Sequence, residues 1–308
     1  MRHVETVLDY LDRQAALRPD SVALADSKQQ ITFAQLADRS DRLAAALLRQ
    51  GLKKQAIGVV ARRSAEVPVL FFAVLKTGSF YVPLDPDMKA EKMAHICANA
   101  DLRFVLDTEA APELPDTVQV IDCSALWDTA ADAELLQTVR SSMCAADPLY
   151  LIYTSGSTGV PKGVLKSHGA MISYIEAFTA RYPLSEQDAL GNQTPFFFDA
   201  SSKDIYWMLH DGVRLEVLDT SLFSQPYVLV EYLNDGTIYN KAFNTLCIAT
   251  VVLIATSIVI SIYAAINIET ILVLDVFNNI YRLIMVFLFT FFAYDSAKMQ
   301  LKKKALTK

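Results

Sequence analysis

The sequence predicts an α/β layered domain in its first two thirds, followed by a two-helix transmembrane hairpin. Between Ile31 and Ile152, short segments rich in β-forming residues alternate with segments of helical hydrophobic period, which is typical of layered α/β architectures. The composition changes near residues 234–241, and long apolar runs follow. We therefore expect one domain at residues 1–236 and a separate hairpin at residues 237–308.

The predicted elements of the first domain follow in order along the chain. Thr32 is a candidate N-cap, apolar residues then recur at helical spacing from Leu36 to Leu48, and Gly51 is a stop signal. The β-α-β pattern that follows places extended segments at Ala56–Ala61, Tyr81–Leu84 and Arg103–Leu106, and a helix at Val67–Lys76. Residues 107–147 are mixed and acidic, and predict a surface connection before the apolar strand Leu149–Tyr153.

Charge and cysteine usage argue against several functional classes. The net charge is -6, and the basic residues of the first domain are scattered, so the chain offers no basic field for nucleic acid. The four cysteines lie far apart without a C-x-x-C pair, which predicts neither a zinc site nor a disulfide framework. The N-terminus lacks the apolar core of a secretory signal, so we expect the first domain to stay in the cytosol.

The C-terminal part has the composition of membrane-spanning segments. Residues 242–268 carry no charge, and at about 1.5 Å per residue they can cross a hydrocarbon core of roughly 30 Å. The second run, 271–294, contains a polar stripe at helical spacing, formed by Asp275, Asn278, Asn279 and Arg282. We expect this run to insert into the lipid bilayer as a hairpin with the first, with its stripe facing protein or water.

The lysine-rich tail sets the expected orientation of this hairpin. Lysines near a membrane span favour the cytoplasmic side, so the N-terminal domain and the tail are both predicted to be cytoplasmic. The alternative is that residues 242–268 and 271–294 are buried core helices of a cytoplasmic protein.

A segment rich in glycine and hydroxyl residues follows the strand that ends near Tyr153. It reads Thr154-Ser155-Gly156-Ser157-Thr158-Gly159-Val160-Pro161-Lys162-Gly163. The glycines let the backbone approach a ligand, amides can converge on an anion, and the hydroxyls and one ammonium supply further donors. The spacing is not that of a Walker A motif. The segment predicts a polyphosphate site; the alternative is a flexible linker, which the flanking strand and the Pro-Lys-Gly sequence disfavour.

This segment resembles the phosphate-binding signature of the adenylate-forming superfamily: acyl-CoA synthetases, luciferases and the adenylation domains of nonribosomal peptide synthetases. Thr32–Leu36 and Leu75–Pro86 are similar to two further motifs, most closely those of the last group, whereas Asp87–Lys89 departs from the usual pattern. The resemblance covers approximately residues 5–236. It implies the N-terminal part of the layered α/β large domain of these enzymes.

The resemblance also implies an activity and its cofactors. That activity is the ATP-dependent activation of an amino acid or other small carboxylate as its acyl-adenylate, with ATP and Mg²⁺ as cofactors. The residues that the resemblance assigns to cofactor binding are Thr154, Ser155, Gly156, Ser157, Thr158, Gly159 and Lys162.

A second motif implies a substrate site. Phe198–Ser201 is similar to the motif in which amino-acid-activating members place an aspartate, here Asp199, against the substrate's α-amino group. By the same resemblance Ala200 and Lys203 line the side-chain pocket, and Lys203 favours an acidic or polar substrate. The alternatives are a turn or helix-cap aspartate and a solvated surface lysine. His168 is predicted to be a helix-start residue and not a general base.

Several family motifs are not recognisable in this sequence. Complete members continue with motifs for adenine, magnesium and ribose, and with a catalytic lysine on a small C-terminal domain. Lys162 is not that lysine, so we assign no catalytic residue and no metal ligand. We expect little activity from the chain alone and a complementary adenylation-domain half as its partner. The alternatives are a non-catalytic fusion, truncation or assembly product, or a small membrane protein whose hairpin is the functional part.

Overall fold

The computed structural model describes residues 4–109, 112–154 and 161–219. The chain separates into two compact units, Met1–Phe243 and Asn244–Lys308, and all described residues belong to the first. Among the helices within these ranges, none combines the length and the hydrophobicity that a membrane span needs. The predicted hairpin lies outside the described residues, so it stays a prediction, as does the boundary at residue 236.

Helices and strands alternate along the described residues. The helices are α1 (Leu8–Leu17), α2 (Phe33–Arg49), α3 (Glu66–Lys76), α4 (Ala90–Asn99), α5 (Ala133–Arg140), α6 (His168–Arg181) and α7 (Asp199–Asp211). The strands are β1 (Val22–Ala25), β2 (Gln30–Thr32), β3 (Ala56–Val60), β4 (Phe80–Leu84), β5 (Phe104–Asp107), β6 (Gln119–Asp122), β7 (Pro148–Thr154), β8 (Lys162–Ser167), β9 (Ala189–Asn192) and β10 (Arg214–Val217). A short 3-10 helix, Cys123–Leu126, follows β6.

The strands form two sheets. The larger has the order β6-β5-β3-β4-β7-β8 and is parallel except for the antiparallel pair β7 and β8. The smaller has the order β2-β1-β10-β9 and is parallel except for β1 and β2. Parallel strands end at one edge of their sheet, which is where open α/β sheets bind ligands.

Helices fill the space between the two sheets. Helix α2 contacts β1 and β2, α3 contacts β3 and β4, and the two helices pack on each other. Every residue of α3 from Val67 to Lys76 is buried. One continuous core includes Leu24 from the smaller sheet and Tyr150 from the larger sheet. The predicted α/β layered architecture is therefore confirmed for the described residues.

The larger sheet is covered on its second face as well. Along β3, Ile57 and Val59 point into the shared core, whereas Ala56 and Val60 point into a smaller core packed on α4. This alternation is the side-chain period of a strand, and burial of both faces explains why the strand reads as a continuous apolar run.

The predicted start and stop of α2 are both confirmed. The hydroxyl of Thr32 accepts a hydrogen bond from the Gln35 amide at 3.2 Å, and the Gln35 side chain accepts one from the Thr32 amide at 2.9 Å. This reciprocal capping box satisfies two amides that a helix start leaves without intrahelical partners. Helix α2 ends at Arg49, and Gly51 then takes a φ of 82°, which favours glycine.

The prediction for residues 107–147 is wrong in part. Instead of a simple surface connection, this segment adds the edge strand β6 beside β5, and helix α5, whose N-cap Asp132 accepts from the Leu135 amide at 3.0 Å. Strand β6 is four residues long and buries only Ile121, so its hydrophobic alternation is too short to recognise.

Candidate functional site

The predicted phosphate segment joins two neighbouring strands. Thr154, the last residue of β7, pairs with Lys162, the first residue of β8, so residues 155–161 connect the carboxyl end of β7 to the adjacent strand. Residues 155–160 lie outside the described part of the chain, and they include Ser155, Gly156, Ser157, Thr158 and Gly159. Thr154 donates from its hydroxyl to the Lys162 carbonyl at 3.4 Å, and both residues are exposed. The predicted strand before this segment is therefore confirmed, and the phosphate site itself stays a prediction.

Gly163 has a packing role in the pairing of β7 and β8. A Cβ atom added to Gly163 would lie 2.9 Å from Cδ1 of Leu151 and 3.3 Å from the Tyr153 ring. Both contacts come from the paired strand β7. This glycine therefore lets β8 lie closely against β7.

Asp199 lies at the start of α7, opposite strand β7. The buried Tyr150 hydroxyl donates to Oδ1 of Asp199 at 2.6 Å, whereas Oδ2 makes no hydrogen bond within the described residues. The helix-cap alternative is not observed, because Phe198 occupies the N-cap position. Asp199 is an exposed residue in the first turn, where the helix dipole favours a carboxylate. It is therefore held on one oxygen and open on the other.

Lys203 lies one helical turn beyond Asp199, but its ammonium contacts other groups. Its Nζ atom is 2.7 Å from Oδ1 of Asp204, and 5.6 and 5.3 Å from the ring centroids of Phe178 and Trp207. Burial raises the pKa of Asp204, and the Lys203 ammonium opposes that shift. Ala200 is exposed. The structure thus brings Lys203 to a buried carboxylate, and its assignment to a substrate pocket stays a prediction, as does that of Ala200.

The prediction that His168 is a helix-start residue is confirmed. It is the first residue of α6, and its side chain is fully buried. Its Nδ1 atom accepts a hydrogen bond from the Val7 amide at 3.3 Å. Burial lowers the pKa of His168 to about 4. A ring so enclosed has no access to a substrate proton.

Two consecutive arginines after β3 were not predicted from the sequence. The Arg62 guanidinium forms two hydrogen bonds with the Asp107 carboxylate at the end of β5, at 3.1 and 3.0 Å. Arg63 donates to the carbonyl oxygens of Leu218, just after β10, and of Asn192 at the end of β9. The two side chains therefore tie the carboxyl ends of both sheets to one segment. Their position directly after a buried strand is the only sequence signal for this role.

The described residues contain no group of three or more histidine, cysteine, aspartate or glutamate side chains able to hold a metal ion.

The comparisons with known proteins agree with this geometry. Residues 11–238 match the AMP-binding enzyme family. Phosphinothricin tripeptide synthetase PhsB of Streptomyces viridochromogenes is 36% identical over 212 residues, which are 67% of this chain and 18% of that protein. Zwittermicin A synthase ZmaJ of Bacillus cereus is 30% identical over 233 residues, which are 74% of this chain and 44% of that protein. The chain thus spans less than half the length of these two relatives.

A solved structure shows the same fold. The N-terminal subdomain of Klebsiella oxytoca NpsA, in complex with 3-hydroxybenzoyl-AMSN, matches with a TM-score of 0.63 at 24% identity. The match covers 76% of this chain and 59% of that chain. The family match extends over most of this chain, and the described strands and helices form the corresponding α/β layers. The chain belongs to the AMP-binding enzyme family.

Proposed function

We propose that this chain is the N-terminal part of an amino-acid adenylation module, which activates an amino acid or other small carboxylate as its acyl-adenylate. The observation that carries the proposal is the hydrogen bond from Tyr150 to Asp199, because it joins the strand leading into residues 155–161 to the carboxylate assigned to the substrate. The family match over residues 11–238 and the relative named as a tripeptide synthetase support it.

The nucleotide phosphates would be held at the carboxyl end of β7. The exposed Thr154 hydroxyl and Lys162 ammonium fit an anionic ligand there, together with the hydroxyls and amides of Ser155–Gly159. ATP supplies the α-phosphorus that a substrate carboxylate oxygen attacks, with pyrophosphate as the leaving group. Lys162 would offset the negative charge of the bound phosphates by electrostatic attraction. Mg²⁺ belongs to the proposal only through the family, and the described side chains contain no group of three or more histidine, cysteine, aspartate or glutamate residues that could hold it.

Asp199 would bind the substrate's α-ammonium group. Its Oδ1 atom accepts from Tyr150, and its Oδ2 atom, which accepts no hydrogen bond within the described residues, is open to a charge-assisted hydrogen bond from the substrate. Ala200 and Lys203 are the proposed pocket residues. Because Lys203 already pairs with Asp204, an acidic or polar substrate side chain would have to share this ammonium.

The reaction test supplies the part of the module that this chain is proposed to lack. We expect ATP–pyrophosphate exchange when the chain is mixed with a complementary adenylation-domain half and a panel of L-amino acids, and little exchange from the chain alone. If the two protein halves bind each other but the mixture shows no ATP–pyrophosphate exchange with any amino acid in the panel, the proposal is contradicted.

Nucleotide binding can be tested on the chain itself. We expect Lys162→Ala to weaken ATP binding about tenfold, as for the loss of one hydrogen bond to a charged group. Lys166→Ala is the matched control, because Lys166 lies on the same strand but four residues further from residues 155–161. Equal ATP affinities of Lys162→Ala and Lys166→Ala would contradict a role of Lys162 in nucleotide binding.

We also propose that residues 242–268 and 271–294 form a transmembrane hairpin that anchors the domain, residues 1–236, on the cytoplasmic side of a membrane. The uncharged first run and the lysine-rich tail support this, and the change of composition falls close to residue 238, where the family match ends. Full-length chain that leaves the membrane fraction on an alkaline carbonate wash would contradict the hairpin.

The second candidate is a non-catalytic fusion or assembly product, favoured by the same change of composition. An intact transcript across the codons for residues 225–250, together with stable full-length protein, would exclude it.

A further inference from the structure

Tyr150 connects the strand that precedes the phosphate segment to the helix that carries Asp199. Its ring lies in the core, 1% exposed, with its centroid 5.6 Å from that of Tyr81. Its hydroxyl donates to Oδ1 of Asp199 at 2.6 Å and lies 3.3 Å from the hydroxyl oxygen of Ser202. A buried aromatic ring has little freedom to reorient, so the Asp199 carboxylate is oriented from the interior of the protein.

We propose that Tyr150 is a positioning residue for substrate recognition: it holds Oδ1 of Asp199 and thereby presents Oδ2 to the α-ammonium group of an amino acid. This inference rests on the proposed function, since it requires Asp199 to be the ammonium ligand. Tyr150 does not contact the substrate, and acts only through the carboxylate.

The hydroxyl of Tyr150 remains a donor over the working range of pH. Burial, reinforced by the bond to Asp199, raises the pKa of Tyr150 far above its ordinary value. On the neighbouring strand β4, the hydroxyl of Tyr81 lies 3.0 Å from that of Tyr206 and makes no hydrogen bond to Asp199. On its own helix, the nearest ammonium, that of Lys203, pairs with Asp204. Tyr150 is therefore the group that fixes this carboxylate.

Tyr81 provides a matched control for the test. It pairs with Tyr150 across β4 and β7 and is equally buried, but its hydroxyl contacts Tyr206 and not a carboxylate. Tyr150→Phe and Tyr81→Phe each remove one buried hydroxyl from the same part of the core. A purely structural role would make the two variants alike.

The first measurement needs no substrate. In the full chain with ¹³C-labelled aspartate, we expect Tyr150→Phe to shift the Asp199 carboxyl signal, and Tyr81→Phe to leave it in place. The signal is assigned by its loss in Asp199→Asn. An Asp199 carboxyl signal that is unchanged in Tyr150→Phe would overturn the inference.

The second measurement is pyrophosphate exchange in the mixture with a complementary half. For the amino acid with the strongest exchange, we expect Tyr150→Phe to raise the amino-acid KM about tenfold with kcat and the KM for ATP little changed. The α-hydroxy analogue of that amino acid, which lacks the ammonium group, should react equally with wild type and variant. Equal amino-acid KM values for Tyr150→Phe and Tyr81→Phe would overturn the inference and leave the proposed function standing. Absence of exchange from the wild-type mixture would overturn both.

Discussion

Burial of His168 should make the fold lose stability as the pH falls below about 6.5. The ring is fully buried, its Nδ1 atom accepts from the Val7 amide, and its Nε2 atom has no hydrogen-bond partner among the described residues. Burial and then the charge of Arg140 lower the pKa of His168 to about 4, against the opposing carboxylates of Asp147 and Asp9. A proton placed on this ring would therefore be poorly compensated.

The sign and size of the effect follow from linkage. Below its ordinary pKa of about 6.5, the unfolded chain takes up a proton at His168 that the folded chain does not accept until about pH 4. The unfolded state binds more protons in this window, so the free energy of unfolding decreases as the pH falls. With these two pKa values, the contribution of His168 between about pH 7 and pH 5 is a loss of about 2 kcal/mol.

The assay is urea unfolding at both pH values, followed by the fluorescence of the buried Trp207. The variant His168→Gln keeps an acceptor for the Val7 amide but does not titrate, so it should lose about 2 kcal/mol less than wild type on acidification. Packing changes in the variant are present at both pH values and cancel in the comparison. The exposed His95 gives the control variant His95→Gln, which should behave as wild type. Equal losses in His168→Gln and wild type would refute the reasoning.

Three further predictions concern buried residues: the packing at Gly58, the ion pair of Lys76 and the ionisation of Tyr81. Gly58→Ala would place a Cβ atom 2.7 Å from a methyl group of Val105, and should lower the free energy of unfolding by about 1–3 kcal/mol in urea titrations. Lys76→Ala removes a buried side chain whose ammonium lies 2.6 Å from the half-exposed Asp41 carboxylate, and should lower the free energy of unfolding in urea titrations by about 2 kcal/mol, mainly through the lost apolar stem, whereas Lys76→Met keeps the stem and should cost less. Burial raises the pKa of Tyr81, so the free energy of unfolding should fall as the pH rises beyond about 10. The variant Tyr81→Phe should lose less of this free energy, with the pH-induced unfolding followed by tyrosinate absorbance.

Local signals were sufficient to predict α2, whereas α5 also begins with a cap and was missed. The Thr32 hydroxyl accepts from the Gln35 amide as expected, and the Ser167 hydroxyl accepts from the Ala170 amide at the start of α6. The order of strands in the sheets could not be predicted in this way. Strand β1 pairs with β10, a partner from the far end of the described chain, and no local pattern in either segment identifies the other.

The same limit applies to the candidate site. The motif around Asp199 identified a carboxylate from neighbouring sequence, but its partner Tyr150 comes from another strand and has no local signal. Lys203 was placed in the substrate pocket by resemblance, and its contact with Asp204 became visible only in the packed helix. Residue types were therefore predictable at the site, whereas the partners that orient them depend on tertiary structure.

The basic side chains at the carboxyl edges of the sheets differ in what they contact. Arg62 and Arg63 are committed to protein acceptors at the ends of β5, β9 and β10, and burial lowers the pKa of Arg63. Guanidinium groups suit this role because several donors in one plane can satisfy neighbouring oxygens at once. Lys162, by contrast, is exposed and forms no ion pair within the described residues. Arg62 thus binds within the larger sheet and Arg63 links that sheet to the smaller one. In the proposed function, the neutralisation of a bound polyphosphate falls to the lysine that the fold leaves accessible.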